Sequence, residues 1–274
     1  MGLLTILRDV WAARELLHQF VQRDIRLRYR QAVMGFAWAL LTPALTIAAG
    51  LMLRLVLSES AGMAPSVGGI AIKGWAWAFF AGALSFGTIS VVNNAGLVSK
   101  IYFPREVLPV ASVVAQGIDS LIGLALLVVL GPWLHFTASP SALWAPVLVL
   151  MLVVLTMGLV LLLACANLFF RDVKYILQTL LTFGIFFTPV LFDLAQFGPT
   201  VETLLLLNPL SSIFEGLRLT LVEGLPLHRA LLAEDGRLLW SPWWLAYSGA
   251  VAIGTLVFGM LVFRRGASFF AEYY

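Results

Sequence analysis

The run LWAPVLVLMLVVLTMGLVLLLACANLFF, residues 143–170, contains no charged side chain and ends against Arg171. As an α-helix it is about 42 Å long, because each residue adds about 1.5 Å. The hydrocarbon core of a bilayer is about 30 Å thick, so the run is long enough to cross it. It is also far longer than a barrel strand and does not alternate between apolar and polar residues. The run therefore predicts a transmembrane helix.

The rest of the chain has the composition of a membrane protein. Of its 274 residues, 61% are hydrophobic and only 11% are charged, against roughly 25% in a soluble domain. Five further runs are long enough to span, one of them with a single acid, Asp119. The six expected spans are residues 35–53, 74–99, 107–134, 143–170, 175–192 and 238–263. The expected fold is an all-α membrane protein with six transmembrane helices.

The basic residues predict the orientation of these spans. If the N-terminus is cytoplasmic, 12 of the 17 Lys and Arg residues lie on that side, as the positive-inside rule requires. Lys73 is then expected outside, at the border of the second span. Both termini are expected in the cytoplasm. Since topology and lipid contact explain the basic residues, no nucleic-acid partner is expected.

Residues 1–30 are expected to form a cytoplasmic interface helix and a basic collar. Residues 1–22 place most of their apolar side chains on one broad face, as in a helix that lies in the membrane plane. The collar brings Arg23, Arg26 and Arg30 to one side, where they can meet lipid phosphates or an acidic partner. A simple topological anchor is the alternative for each arginine.

The expected outer segment, residues 193–237, contains the run LLLLNPLSSIF at residues 204–214. This run is too short to cross, and Asn208-Pro209 interrupts it. We expect two short helices that enter the outer leaflet and return, which suggests the mouth of a pathway. A helix lying on the surface is the alternative. Residues 225–240 have no assignment from the sequence.

No residue pattern predicts enzyme chemistry, so neither catalytic residues nor a metal site are expected. The three histidines are scattered, and the single cysteine, Cys165, lies within a span. No GxxxxGK[ST] phosphate loop occurs. Asp119 is the one acid well inside an apolar run, and structural capping or a polar contact between helices is favoured over a proton relay.

The inside loop SKIYFPREVLP, residues 99–109, carries two aromatic side chains, a proline and a charged pair. A loop that only reverses direction seldom needs exposed aromatics, so this loop is expected to dock onto a partner. The loop NLFFRDVKY, residues 167–175, has a similar mixture.

Five motifs together resemble one family. They are RYRQAVMGFAWALLTP (28–43), KIYFPREVLP (100–109), FFRDVKYILQTLLTFGIFFTPVLF (169–192), LNPLSSIFEGLR (207–218) and FRRGASFFAEYY (263–274). In this order they resemble the ABC-2 type permeases of bacterial polysaccharide exporters, which move lipid-linked O-antigen, capsule or teichoic-acid chains. The resemblance extends over nearly the whole chain.

The resemblance implies an architecture, partners and a location. The chain would be one transmembrane domain, residues 1–274, with spans one to five in 31–192, gate helices in 193–237, span six at 238–263 and a cytoplasmic tail at 264–274. It would work as a homodimer in the bacterial inner membrane with two separate ATPase subunits, which bind ATP and Mg²⁺. Lipid-linked glycan would be the substrate, and membrane lipids would surround the complex.

The resemblance also implies roles for particular residues. Contact with the ATPase would involve Tyr102, Phe103, Pro104, Arg105, Glu106, Arg23 and Arg28. The periplasmic gate would include Asn208, Pro209, Phe214, Glu215 and Arg218. Because sugar rings stack on aromatic faces, the channel candidates are Phe36, Trp38, Phe183, Phe186, Phe187 and Phe192. The tryptophans expected at membrane borders are Trp75, Trp77, Trp240, Trp243 and Trp244.

Two other functions remain open from the sequence. An ABC-2 permease for a drug or a lipid shares the architecture but not the cargo. A membrane scaffold or an intramembrane enzyme shares only the hydrophobic composition.

Overall fold

The computed structural model describes residues 8–9, 11–29, 41, 44–45, 47–52, 55, 66–98, 103–232 and 238–267. This part of the chain is mostly helical. Its main helices are α1 (Arg14–Tyr29), α2 (Val67–Asn93), α3 (Val107–Leu130), α4 (Ala145–Phe169), α5 (Val173–Phe187), α6 (Pro199–Leu206), α7 (Pro209–Leu221) and α8 (Pro242–Ala267). Shorter helical segments are Ala95–Val98, Pro140–Trp144 and Leu194–Gln196.

Several of these helices are suited to crossing a membrane. Among the described residues, four helical segments are long and apolar enough: Val67–Asn93, Val107–Leu130, Pro140–Phe169 and Pro242–Gly266. The number is five if the bent pair α6 and α7 counts as one span. The prediction of a multi-pass helical membrane protein is thereby confirmed. The first expected span, 35–53, lies mostly outside the described residues, so the count of six stays a prediction.

Helix α5 is shorter than the span expected at 175–192. It ends at Phe187, and Thr188 has extended backbone angles, with φ −121° and ψ 137°. The cause is Pro189, since the residue before a proline is driven out of helical geometry. The expected end of this span was therefore wrong. Phe192 lies beyond the helix, with its ring in edge-to-face contact with Phe197 at 5.1 Å between centroids.

The start of the second expected span was also wrong. Helix α2 begins at Val67, and Ser66 caps it by accepting a hydrogen bond from the Gly69 N–H. Lys73, expected at the outer border, lies inside this helix and is 0% exposed. A buried lysine is tolerated only when it has a partner, and the structure supplies one in Asp193.

The core forms around α2 and α4. Helix α2 packs against α3, α4 and α7, while α4 and α8 make the most extensive helix pair. Glycine allows the close approach of α4 and α8: a Cβ added to Gly158 would lie 2.5 Å from the Leu256 nitrogen. Gly259 of α8 lies against the Gly158 carbonyl. Small residues at such crossings are typical of membrane helices.

Residues 225–240, unassigned from the sequence, include a small antiparallel hairpin of β1 (Leu231–Leu232) and β2 (Leu238–Trp240). The hairpin corrects the all-α expectation. Trp240 at its end is buried, and its Nε1 donates to the Leu227 carbonyl at 3.1 Å. Trp75 is buried as well, and its Nε1 donates to the Ser120 carbonyl. The prediction of membrane-border anchors was therefore wrong for these two tryptophans, because each found its hydrogen-bond partner inside the protein.

Candidate functional site

A buried ion pair joins α2 to the segment after α5. The Lys73 Nζ lies 2.7 Å from the Asp193 Oδ1 and also donates to the Phe192 carbonyl at 2.6 Å. The other carboxylate oxygen of Asp193 accepts a hydrogen bond from the Ser66 N–H at 3.1 Å. Asp193 therefore lies at the N-terminal end of α2, where the helix dipole favours a negative charge.

Arg218 of α7 extends this pair into a charge cluster. Its Nε lies 3.5 Å from the Asp193 Oδ1, and its guanidinium donates to the Glu215 Oε1 at 2.5 Å. Glu223 pairs with the same guanidinium. We call Lys73, Asp193, Glu215, Arg218 and Glu223 the charge cluster. It ties α2, the segment after α5 and α7 together.

The cluster controls the ionisation of Asp193, which lies outside the long apolar helices. Burial opposes ionisation, but the Lys73 ammonium and then the Arg218 guanidinium outweigh it, and the Ser66 N–H adds to their effect. The pKa of Asp193 is therefore held below its ordinary value. The carboxylate stays charged near neutral pH, so the cluster remains intact there.

The interruption predicted at Asn208-Pro209 is confirmed. Helices α6 and α7 meet at an angle of 110°. Asn208 is the N-cap of α7, with its side chain accepting a hydrogen bond from the Leu210 N–H at 3.1 Å. Its amide also donates to the Thr188 hydroxyl at 3.3 Å. The corner between the two helices is therefore fixed to the end of α5.

The structure places the five predicted gate residues in three different environments. Asn208 and Pro209 form the corner, since Pro209 is the first residue of α7 and needs no helical hydrogen-bond donor there. Phe214 is fully buried in the main core. Glu215 and Arg218 belong to the charge cluster.

Helix α5 presents most of its surface outward. Leu177 is its one buried residue. The spacing of three or four residues places Tyr175, Gln178, Thr182 and Phe186 along one exposed face. We call these four residues the mixed face, because it combines aromatic rings with an amide and a hydroxyl.

A second exposed face of α5 is entirely apolar. It consists of Ile176, Leu180, Phe183 and Phe187, which again recur every three or four residues. The predicted channel phenylalanines are therefore divided. Phe186 lies on the mixed face, Phe183 and Phe187 lie on the apolar face, and Phe192 lies outside the helix.

At the other end of the bundle, α1 packs on the start of α3. Phe20 and Val21 are buried with Val107 and Leu108. The loop aromatic Phe103 is half-buried, with its ring centroid 5.9 Å from that of Phe20. The ring that the sequence expected to be exposed is thus partly covered by α1 of the same chain.

The rest of the expected coupling loop begins α3. The Pro104, Arg105 and Glu106 carbonyls accept hydrogen bonds from backbone N–H groups in the first turn of that helix. The three residues are half-buried. Tyr102 lies outside the described residues, as do the channel candidates Phe36 and Trp38.

Both expected coupling arginines of α1 have partners within the chain. Arg28 pairs with Asp119 of α3, donates to Gln116 at 2.8 Å and lies over the Phe86 ring at 3.9 Å. The polar contact between helices favoured for Asp119 is thereby confirmed, with Arg28 as its partner.

Arg23 of α1 lies beside this pair. It forms an ion pair with Asp24 at 2.9 Å and donates to Asn94 at 2.6 Å. Together, Arg23 and Arg28 fasten α1 to α3 and to the end of α2.

The sequence reasoning missed the pairing of Lys73 with Asp193. The signal available was Lys73 itself, which stands between Ile72 and Gly74 in a long apolar stretch. A cation there needs a buried acid. The sequence did not indicate which acid, because the partner is 120 residues away.

The long apolar helices, the bent pair and the buried charges define a multi-pass membrane protein. Comparison with known proteins gives its family. The model of the ABC-2 type transporter family matches residues 15–222. This chain belongs to that family and is a transmembrane subunit of a transporter.

Three curated relatives are similar over most of their length. The "O-antigen export system permease protein RfbA" of Myxococcus xanthus is 30% identical over 250 residues, which cover 87% of this chain and 94% of the relative. Two proteins of the same name from Klebsiella pneumoniae are each 25% identical over 213 residues, covering 77% of this chain and 81% of the relative.

Proposed function

We propose that this chain is the channel-forming permease subunit of an ATP-driven exporter of lipid-linked, O-antigen-like polysaccharide in the bacterial inner membrane. The names of the three relatives support this cargo, and the similarity to the first covers 87% of the chain. The 274 residues contain no phosphate loop. ATP and Mg²⁺ would therefore be bound by separate ATPase subunits, one for each permease of a homodimer.

The observation that best supports a glycan cargo is the mixed face of α5. A helix surface that meets only lipid needs no amide, yet Gln178 is exposed between Tyr175 and Phe186. Aromatic rings contact the C–H faces of sugars, while an amide hydrogen-bonds their hydroxyls. A drug or a lipid tail has less need of this combination. In the homodimer, the mixed faces of the two copies would line the channel.

The bent pair α6 and α7 would form the periplasmic gate and dip into the outer leaflet. Backbone that reverses direction at this depth must be surrounded by protein or by a water-filled path. The Asn208 contacts to α7 and to Thr188 hold the corner in place. The charge cluster would keep the bent pair attached to α2.

The α1 helix would transmit the ATPase motion. With six spans and a cytoplasmic N-terminus, α1 would lie along the cytoplasmic border, where its exposed side meets the ATPase. Its buried side contacts α3 through Phe20 and Arg28. A displacement of α1 would therefore move α3 directly.

The role of the mixed face can be tested with Phe186→Leu, which keeps an apolar side chain but removes the ring. Phe186 is 63% exposed, so the folded chain should change little. Export should fall roughly two- to twelvefold, equivalent to about 0.5–1.5 kcal/mol of lost aromatic contact. Surface polysaccharide is the measurement, in cells with equal amounts of inserted permease.

The control is Phe258→Leu on α8, because Phe258 is 60% exposed and lies off the mixed face. Its export should match that of the unaltered chain. Normal export by Phe186→Leu would show that the mixed face does not contact the cargo. Absence of any glycan accumulation inside cells that lack this chain would contradict the proposed function itself.

A further inference from the structure

A polar recess runs along the end of α2 at the level of α1 and the first turn of α5. It consists of two cavities of about 510 and 250 Å³, both of which border Phe86 and Ile89, so the two adjoin. The larger cavity reaches α1 and α3, and the smaller reaches α5. The carboxylate, hydroxyl and amide groups that border the recess include those of Asp24, Ser90, Asn93, Asn94, Ser112 and Gln178.

A third cavity, outside the recess, has an apolar lining. It measures about 330 Å³ between α2, α3 and α4 and is bordered by side chains such as Phe79, Leu121 and Val153. That lining suits an acyl chain. The recess instead exposes carboxylate, hydroxyl and amide groups, which are costly to cover with hydrocarbon. Its occupant must therefore be water or a polar ligand.

The charged side chains of the larger cavity point to a neutral ligand. In the smaller cavity, the Lys174 Nζ lies 4.7 Å from the centroid of the Tyr175 ring. Arg23 is paired with Asp24 at 2.9 Å, and Arg28 is paired with Asp119. Each guanidinium already has a carboxylate partner, so an anion would compete with those carboxylates. A ligand rich in hydroxyl groups can instead add hydrogen bonds without breaking either pair.

The polar groups of the recess are held in place by bonds within the protein. The Asn94 side chain accepts from Arg23 at 2.6 Å and donates to the Ser90 carbonyl at 2.7 Å. Ser112 donates to the Asp24 carboxylate at 3.3 Å. Groups fixed in this way lose little freedom when a ligand binds.

The recess continues toward the cargo-contacting surface of α5. Tyr175 and Gln178 border the smaller cavity and also begin the mixed face that ends at Phe186. Both volumes together lie within the range of about 300–1,000 Å³ typical of small-molecule sites. A sugar unit bound in the recess would therefore lie next to the first residues of the mixed face.

We propose that the polar recess is a binding site for a neutral sugar unit of the polysaccharide, which holds the cargo before it moves along α5. This inference rests on the proposed function, because it takes the cargo to be a glycan. It assigns Asp24, Ser112 and Asn94 to hydrogen bonds with sugar hydroxyls. It also gives the single permease chain a sugar site of its own.

Thiol labelling can test occupancy of the recess directly. The Asn93→Cys variant places a thiol at its border, while the natural Cys165 is buried. The assembled transporter is labelled with a polar maleimide in membranes from cells that make the glycan and from cells that do not. If cargo occupies the recess about nine-tenths of the time, labelling slows about tenfold, since only the empty fraction reacts.

The matched control is Leu97→Cys, one helical turn further along the chain. Leu97 is exposed and does not border either cavity. Its labelling rate should be the same in both membranes. Equal labelling rates in both membranes, for an Asn93→Cys complex that exports glycan normally, would overturn the assignment of the recess as a sugar site. That result would leave the proposed function standing. An unaltered complex that exports no glycan from cells that make it would overturn both.

A second variant tests whether the recess lies on the cargo path. Asn93→Trp fills the recess with an indole ring, while Leu97→Trp places the same ring outside it. Asn93→Trp should lose most of its export and retain membrane insertion and ATPase association, and Leu97→Trp should retain export. Export by Asn93→Trp equal to that of the unaltered chain would contradict the assignment.

Discussion

The Lys73 Nζ and the Asp193 Oδ1 lie 2.7 Å apart, although 120 residues separate them in the chain. Lys73 is fully buried within α2, and Asp193 lies in the segment that follows α5. The pair therefore joins the start of one long helix to the region that leads into the bent helices.

Breaking this pair from one side should destabilise the fold. The Lys73→Met variant keeps the length of the side chain but leaves the Asp193 carboxylate without its nearest cation. Removing one partner of a buried pair costs about 3–5 kcal/mol, so the thermal midpoint of the purified permease should fall clearly. Arg171→Met is the control, because Arg171 is exposed. Equal midpoints for both variants would contradict the structural role of the pair.

The pH dependence of this stabilisation has a definite sign. The folded pKa of Asp193 lies below its unfolded value, so the stabilising contribution is present above the unfolded pKa of about 4. It is lost as the pH falls through the lower folded pKa. The thermal unfolding midpoint of the unaltered chain should exceed that of Asp193→Asn by a constant amount from pH 8 to pH 5. This difference should shrink below about pH 4. A difference that shrinks between pH 7 and pH 5 would be inconsistent with the depressed pKa.

The crossing of α4 and α8 depends on Gly158. A Cβ at this position would lie 2.5 Å from the Leu256 nitrogen and 2.6 Å from the Thr255 carbonyl carbon, which are backbone atoms. Gly158→Ala should therefore separate the helices and destabilise the chain by about 1–3 kcal/mol. Gly254→Ala on α8 is the matched control, since its added Cβ meets nothing within 4 Å. The thermal unfolding midpoint of Gly158→Ala should be the lower of the two. A lower midpoint for Gly254→Ala would contradict the close approach of α4 and α8 at Gly158.

Phe103 should affect coupling more than insertion. Its ring packs on Phe20 of α1, so Phe103→Ala should loosen the attachment of α1 to the start of α3. We expect the permease to insert and the complex to hydrolyse ATP, while export per ATP falls. Leu143→Ala, at an exposed apolar position, should leave this ratio unchanged. An unaltered ratio for Phe103→Ala would remove this contact from the coupling path.

The sequence predicted the features that depend on local pattern. The uncharged run at 143–170 became the helix Pro140–Phe169, and the interruption at Asn208-Pro209 became the 110° corner between α6 and α7. In both cases the residues that determine the feature are adjacent in the chain. The end of α5 is also a local effect, since it is caused by Pro189. The predicted span extended to Phe192 because it followed the uncharged run and did not consider the proline.

The features that the sequence missed depend on distant partners. Lys73 resembled a membrane-border residue because its acid, Asp193, follows 120 residues later. Trp240 resembled an interface anchor because its hydrogen-bond acceptor, the Leu227 carbonyl, depends on the hairpin. Charge and amphipathic character alone cannot separate a side chain at the lipid border from one buried against a partner. Only the three-dimensional packing makes that distinction.

We expect this permease to move lipid-linked polysaccharide when its ATPase partner hydrolyses ATP. The most direct measurement uses inverted membrane vesicles that contain the assembled complex and the lipid-linked glycan, with a glycosidase added outside. ATP should make the glycan progressively resistant to the glycosidase, because the glycan chain enters the vesicle lumen. Unchanged digestion with and without ATP, by a complex that hydrolyses ATP, would contradict it.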